Sequence, residues 1–400
     1  MYSVIQSMKE LYSEIRSMPR PVFVLVLGQF LNRFGSFVYP FFALYLKDKS
    51  FDLSEIAGVM AALGTGHFLG PIAGGYLADA IGRRNTIVVS LVSSATLLMV
   101  MYFMDNYVLL LGVGALYGFS VFVFGAPASA LLTDLVPVEK RVTAFALFRL
   151  AINAGFAAGP AVAGLLYVKS PFYIFVGDAA STLAFAVLAF FFLPHGLRTI
   201  EGNVSSPRVV VRNWIDAAVD AHRNVEFRRF LTAVLLMGVS FAQIFMILSL
   251  FASDRGLSPA VYGMVMALNG VIIIVVEMPA MQWIKTLNPR PVLAFGYALI
   301  GMGCGLFAFA ESVVGFVVAM VVFTIGEIIA LPLGMAYSSG LAPEKYRGRY
   351  FGLRGMTWAL SNLLASAGVW LYGELGVAWW FVAGCFGLAG AAVILGRKGR

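Results

Sequence analysis

The chain has 400 residues, 60% of them hydrophobic, 14% aromatic and only 12% charged, with a formal net charge of +8 and a mean hydropathy of +0.87. A water-facing domain carries about 25% charged residues, so a soluble globular protein is excluded and lipid must cover most of the surface. The positive balance is that of a membrane protein keeping Lys and Arg on its cytoplasmic side, which leaves no separate case for nucleic-acid binding.

Residues 1–21 lack the apolar core of a cleavable signal and are expected to form a short cytoplasmic amphipathic segment. A helix needs about 20 apolar residues to cross the hydrocarbon. Twelve stretches qualify: spans 1–6 at 22–46, 54–79, 84–104, 107–132, 142–168 and 171–193, and spans 7–12 at 229–252, 258–284, 290–310, 312–340, 346–372 and 376–396. Only Glu311 and its neighbours separate spans 9 and 10. The 42 Gly suit close helix packing in a bilayer, and the 34 Phe suit a lipid-facing exterior.

Positive charge sets orientation. Lys47, Lys49, Lys169 and Arg255 fall in outer loops, and Arg33, Arg149 and Arg354 fall within spans. The other 21 of the 28 Lys and Arg are cytoplasmic if both termini are inside. The polar stretch 194–228 divides the chain into two six-helix bundles, 22–193 and 229–396, and 397–400 is a cytoplasmic tail. Val211, Trp214, Ile215 and Ala218 share a helical face, so part of the linker either lies on the inner membrane surface or is plain connection. The halves echo each other: Pro137, Arg141, Phe145 and Ala146 open span 5 with the spacing by which Pro343, Arg347, Phe351 and Gly352 open span 11.

Two local patterns stand out. GGYLADAIGRRN, residues 74–85, ends span 2 on a carboxylate, a glycine and two arginines. Gly82 permits a tight reversal, and Arg83 and Arg84 anchor it in the cytoplasm. Asp79 is poorly placed at a helix C-terminus unless another helix offers its N-terminus or a cation. Asp134, at the inner end of span 4, is the partner expected for Arg83. In span 5, Arg149, Asn153, Gly155, Gly159, Pro160, Ala163 and Gly164 combine a small-residue face with a proline that can kink the helix.

Gly75 to Arg84 resembles the loop 2–3 signature of the major facilitator superfamily, G-x-L-A-D-R-x-G-R-K, with Ala80 in place of the usual basic residue. The span 5 pattern resembles the G-x3-G-P-x2-G-G motif of that family's drug:proton antiporters, with Ala163 replacing one glycine. The resemblance implies an all-α fold of twelve transmembrane helices in two bundles related by a pseudo-two-fold axis. It implies that spans 1, 4, 7 and 10 line a central cavity, that Asp79 faces the first turn of span 11, and that the Gly155–Gly159 face meets span 8. The alternatives are a topology anchor for the first motif and generic helix packing for the second.

Ionisable groups inside a span cost at least about 2.5 kcal/mol at its centre, which makes each a functional candidate. Glu327, midway along span 10 before Pro332, is the first candidate for carrying a coupling proton. It is expected to share the cavity with Asn32, Arg33, Phe37 and Tyr39; the alternative is a structural pair with Arg354. Glu277 in span 8 is the second candidate, with Arg149 across the cleft as a gating partner or, alternatively, satisfied by carbonyls. Asp178 is expected near the outer end of span 6, reaching interfacial water. His67 reads as a packed or cavity-edge residue. Phe34, Phe37, Tyr39, Phe41 and Phe42 are expected as aromatic walls.

No histidine–cysteine cluster suggests a metal, Cys304 and Cys385 read as packing residues, and no phosphate loop or nucleophile–base arrangement is evident. An enzyme is therefore not expected, and neither is a cofactor. The reading is a monomeric secondary transporter of the cell membrane whose partners are protons and a small lipophilic or cationic substrate. The alternatives are a proton-coupled carrier of a metabolite, peptide or lipid, and a membrane sensor that has kept the transporter fold.

Overall fold

In the computed structural model, residues 13–195, 216, 218–284, 286–343 and 347–396 are described. Residues 1–12, the linker face at Val211, Trp214 and Ile215, and the tail 397–400 lie outside them.

Among the described residues, eleven helices are long and apolar enough to cross a membrane. A twelfth helix, Arg347–Leu375, has 29 residues and occupies the place of span 11 between Leu53–Ile81 and Val225–Met246. Arg349, Arg354, Ser361 and Asn362 dilute its hydropathy. Such residues suit a helix packed between two others better than one facing lipid on most sides.

Helix pairing repeats with an offset of six. Spans 2 and 4, 1 and 5, and 3 and 6 pack together in the first half, and spans 8 and 10, 7 and 11, and 9 and 12 do so in the second. The halves then meet through span 5 on span 8 and span 2 on span 11, which the same offset interchanges. This is the signature of two bundles related by a pseudo-two-fold axis.

Among the described residues, three spans are interrupted. Span 1 is Arg20–Phe34 followed by Val38–Asp48, span 4 is Tyr107–Val123 followed by Gly125–Leu135, and span 7 is Val225–Met246 followed by Leu248–Asp254. Pro40 and Pro127 each sit at the third position of a second piece, where the missing N–H ends the preceding ladder. Spans 2, 5, 8 and 10 absorb Pro71, Pro160, Pro279 and Pro332 within continuous helices.

Loop residues begin the helices by capping free amides. Asp52 accepts from Glu55 N at 2.8 Å while Glu55 accepts from Asp52 N at 3.1 Å, and Asn106, Asn224 and Ser312 act similarly. Hydrogen bonds from the Ser54 hydroxyl and then the Glu55 amide hold the Asp52 carboxyl below its ordinary range.

Gly82 joins spans 2 and 3 at φ 90°, ψ 152°, a region nearly restricted to glycine. Gly82→Ala should cost about 1–3 kcal/mol and lower the thermal unfolding midpoint of the detergent-solubilised protein. An unchanged midpoint would show that the reversal relaxes without strain.

Candidate functional site

Span 5 runs antiparallel to span 8 with small residues in contact. A methyl group added at Gly263 would lie 2.2 Å from the Pro160 carbonyl oxygen, one at Gly164 2.4 Å from the Pro259 oxygen, and one at Gly270 2.5 Å from Ala157 Cα. Further along, Arg149 pairs with Glu277. Spans 2 and 11 meet similarly, with Leu53 against Gly373 and Gly64 against Leu363.

Additional contacts close the end of the cleft remote from Arg83. Lys47 of span 1 pairs with Asp254 of span 7, which also accepts from the Tyr372 hydroxyl of span 11 at 2.8 Å. Tyr262 of span 8 donates to the Pro40 carbonyl at 3.0 Å, and Tyr39 packs on Phe245 with ring centroids 5.4 Å apart. At the other end Asp79 is exposed, and a methyl group added at Gly75 or Gly355 would meet nothing within 4 Å. The halves are therefore sealed at the Lys47 end.

Glu327 accepts from Asn269 Nδ2 of span 8 at 2.8 Å, and the same amide donates to Thr324 Oγ1 at 3.0 Å. Glu277 and Arg149 lie close enough to act on it electrostatically, so spans 5, 8 and 10 bring two acids and one cation together where the halves touch. One turn before Glu327, Phe323 packs on Phe241 at 5.2 Å, and Phe241 packs on Trp358 at 5.3 Å. An acid beside an aromatic wall can hold an apolar cation by charge and by its ring faces. Arg354 is not the partner of Glu327. It interacts with Tyr297 of span 9, and its Nε has no hydrogen bond.

The residues expected from span 1 go elsewhere. Asn32 and Arg33 line a cavity of about 40 Å³ inside the first bundle, with Ser90 and Ser94 of span 3, Tyr117 of span 4, and Asp178 and Thr182 of span 6. Asn32 donates to Thr182 Oγ1 at 3.3 Å. Phe37, Phe41 and Phe42 are buried core residues, and Phe37 covers Gly177. Of the expected aromatic walls, Tyr39 and Phe41 reach across to the second half, to Phe245 and Tyr262. Asp178 does not reach interfacial water: it is 6% exposed and accepts from Val38 N at 3.1 Å.

A further correction concerns the span 5 motif. Added methyl groups at Gly155 and Gly159 would strike Phe34 N at 2.6 Å and Phe34 O at 2.5 Å, so that face meets span 1, within its own half. Pro160 and Gly164, with Ala157, form the face on span 8. In the loop 2–3 motif, Arg83 pairs with Asp134 and donates to Ala130 O at 2.8 Å. Arg84 contacts His195 Nε2 at 2.5 Å and lies over the Phe190 ring. Among the described residues, the buried Nε of Arg141 has no hydrogen-bond partner. His67 is buried against Phe122, with centroids 4.1 Å apart. Asn269 and the Lys47–Asp254 pair are additions that sequence reasoning missed, although an Asn inside an apolar span is a usable signal.

The profile of the Major Facilitator Superfamily matches residues 25–366. The chain belongs to the Major Facilitator Superfamily. This superfamily member is a multi-pass membrane protein and a secondary transporter, not an enzyme. Its relatives include the uncharacterized MFS-type transporter YttB of Bacillus subtilis (strain 168), 27% identical over 84% of each chain. A Na(+), Li(+), K(+)/H(+) antiporter of Planococcus maritimus is 23% identical over 92% of this chain and 93% of that one. The multidrug resistance protein MdtH of Yersinia enterocolitica is 25% identical over 94% of each. Among solved structures, the nucleoside transporter NupG superimposes with a TM-score of 0.80 at 14% identity, covering 94% of this chain and 99% of that one, a likeness of fold.

Proposed function

We propose that this transporter exports small lipophilic or cationic compounds in exchange for protons, with Glu327 as the coupling acid and both termini cytoplasmic. The observation that carries the reading is the placement of Glu327. It is hydrogen-bonded to Asn269, next to the Arg149–Glu277 pair that joins the halves, and one turn from the Phe323–Phe241–Trp358 wall. Similarity to a multidrug resistance protein and to a cation/proton antiporter supports export and proton exchange. A proton and a cation that compete for one carboxylate are exchanged obligatorily if only the singly occupied states reorient.

Reorientation requires the basic end to close as the Lys47 end opens. Carrying the span 2–span 11 register eleven residues beyond Gly64 and Leu363 sets Gly75 opposite Gly352. Two glycines there permit close approach and bring Asp79 to the first turn of span 11. Asp79→Asn should then weaken closure of the basic end by roughly 1–2 kcal/mol. Distances between spin labels at the basic ends of spans 4 and 10 measure this, and an unchanged distribution would reduce Asp79 to an anchor of topology.

The direct test is proteoliposome transport of fluorescent organic cations under an imposed pH gradient. A second reading, exchange of monovalent metal cations for protons, is favoured by the similarity to the Planococcus maritimus antiporter. Gradients of Na⁺, Li⁺ and K⁺ in the same vesicles separate the two.

A further inference from the structure

We propose that Asp178 is a second proton-binding site, set in the first bundle and acting on the seal at the Lys47 end through the break in span 1. The inference rests on the proton-coupled reading above and adds a site to it.

Asp178 lies in the apolar helix Pro171–Phe192 and forms no ion pair among the described residues. Arg33 acts on it through space but has an unpartnered Nε and stacks on the Phe156 ring of span 5 at 5.7 Å. The groups facing Asp178 are thus Arg33 from span 1, with Tyr39 beyond it, and Tyr117 from span 4. The polar side chains that span 3 presents to their shared cavity are the neutral Ser90 and Ser94. That cavity, of about 40 Å³, is polar and large enough for water. A buried carboxylate that forms no ion pair and borders a cavity able to hold water can exchange a proton. One proton from water adds to one carboxylate oxygen and later returns to water, with no other reactant.

The two charge states differ in what they do to span 1. The carboxylate accepts the Val38 amide at 3.1 Å and faces the Phe37 amide, at the N-terminus of the half-helix Val38–Asp48. An anion there is favoured by the helix dipole, and protonation removes that attraction. The same half-helix carries much of the seal: Tyr39 against Phe245, Pro40 accepting from Tyr262 and Lys47 paired with Asp254. The ionised form therefore favours the sealed conformation, and protonation favours opening.

The test uses spin labels at Ser50 and Ser258 in the reconstituted full-length protein, titrated from about pH 9 to about pH 5. No substrate is needed. With Glu327→Gln as background, longer distances should gain population as pH falls. The closed-to-open ratio should change by about tenfold, as one pKa unit of difference between conformations produces. Adding Asp178→Asn should abolish the change. Asp178→Glu, which keeps a carboxyl on a longer arm, should shift the midpoint but retain the titration. If Asp178→Asn does not fold, infrared titration of the Glu327→Gln protein replaces it, and a remaining buried-carboxyl band that is lost on deprotonation is expected. A flat response in the Glu327→Gln protein, or an undiminished response after Asp178→Asn, overturns the proposal. Parent-like uphill transport by Glu327→Gln would instead overturn the coupling role of Glu327.

Discussion

Glu327→Gln is expected to abolish uphill efflux of organic cations while leaving the protein folded and membrane-inserted. Glutamine keeps the size of the side chain and can still accept from Asn269 Nδ2, which lies 2.8 Å from the carboxylate, so local packing persists. The lost quantity is charge. A hydrogen bond or contact to a charged group contributes about 1.5–3 kcal/mol, so affinity for a cation should fall roughly 10- to 150-fold, whereas neutral ligands that use only the Phe241–Phe323–Trp358 wall should be affected less. The variant also mimics the protonated state, so a pH gradient no longer drives exchange at this carboxylate. Glu277→Gln should have a different profile. Its carboxylate is committed to Arg149 across the halves, and its loss weakens that join without removing the acid beside the wall. Proton-driven transport by the two variants, at matched protein levels, distinguishes the roles. Parent-like transport by Glu327→Gln with loss in Glu277→Gln would reverse them.

The spans are readable in the sequence because hydropathy and length suffice to define them, and the offset-of-six pairing matches the internal echo between spans 5 and 11. The interruptions are harder to read. Apolar composition continues through Gly35–Ser36–Phe37 and through Phe124, with Pro40 and Pro127 as the available signs. That break explains the misplacement of Asp178. Counting residues along span 6 puts it near a loop, but the free amides of the second half of span 1 bring a partner into the bundle to meet it. The glycines of span 5 illustrate a different limit. A spacing of four marks a face that admits close approach, without naming the neighbour. Span 5 has two such faces, one on span 1 and one on span 8. Charge pairs were easier to anticipate. Arg83 has Asp134 at the same membrane level, and Arg149 and Glu277 lie in spans that a parallel repeat brings together.

Gly263→Leu should abolish transport by preventing the two halves from sealing at the Lys47 end. The first added carbon would lie 2.2 Å from the Pro160 carbonyl oxygen and 3.2 Å from Gly164 Cα. Both obstacles are backbone, so no rotamer change relieves the overlap, and span 8 must move away from span 5. Separation there also strains the Tyr262–Pro40 hydrogen bond, one residue from the substitution. The atoms nearest to that carbon all belong to the other half, so expression and insertion should be near normal. Gly159→Leu provides the contrast. Its added carbon meets Phe34 O at 2.5 Å, inside the first bundle, so it should lower folding yield along with transport. A core-scale overpacking penalty of about 1–3 kcal/mol applies there. Labels at Ser50 and Ser258 should report a long distance in Gly263→Leu at every pH, since the sealed state is sterically excluded. A parent-like short distance, with normal transport, would mean that spans 5 and 8 can part without cost and that this contact does not control access to the cleft.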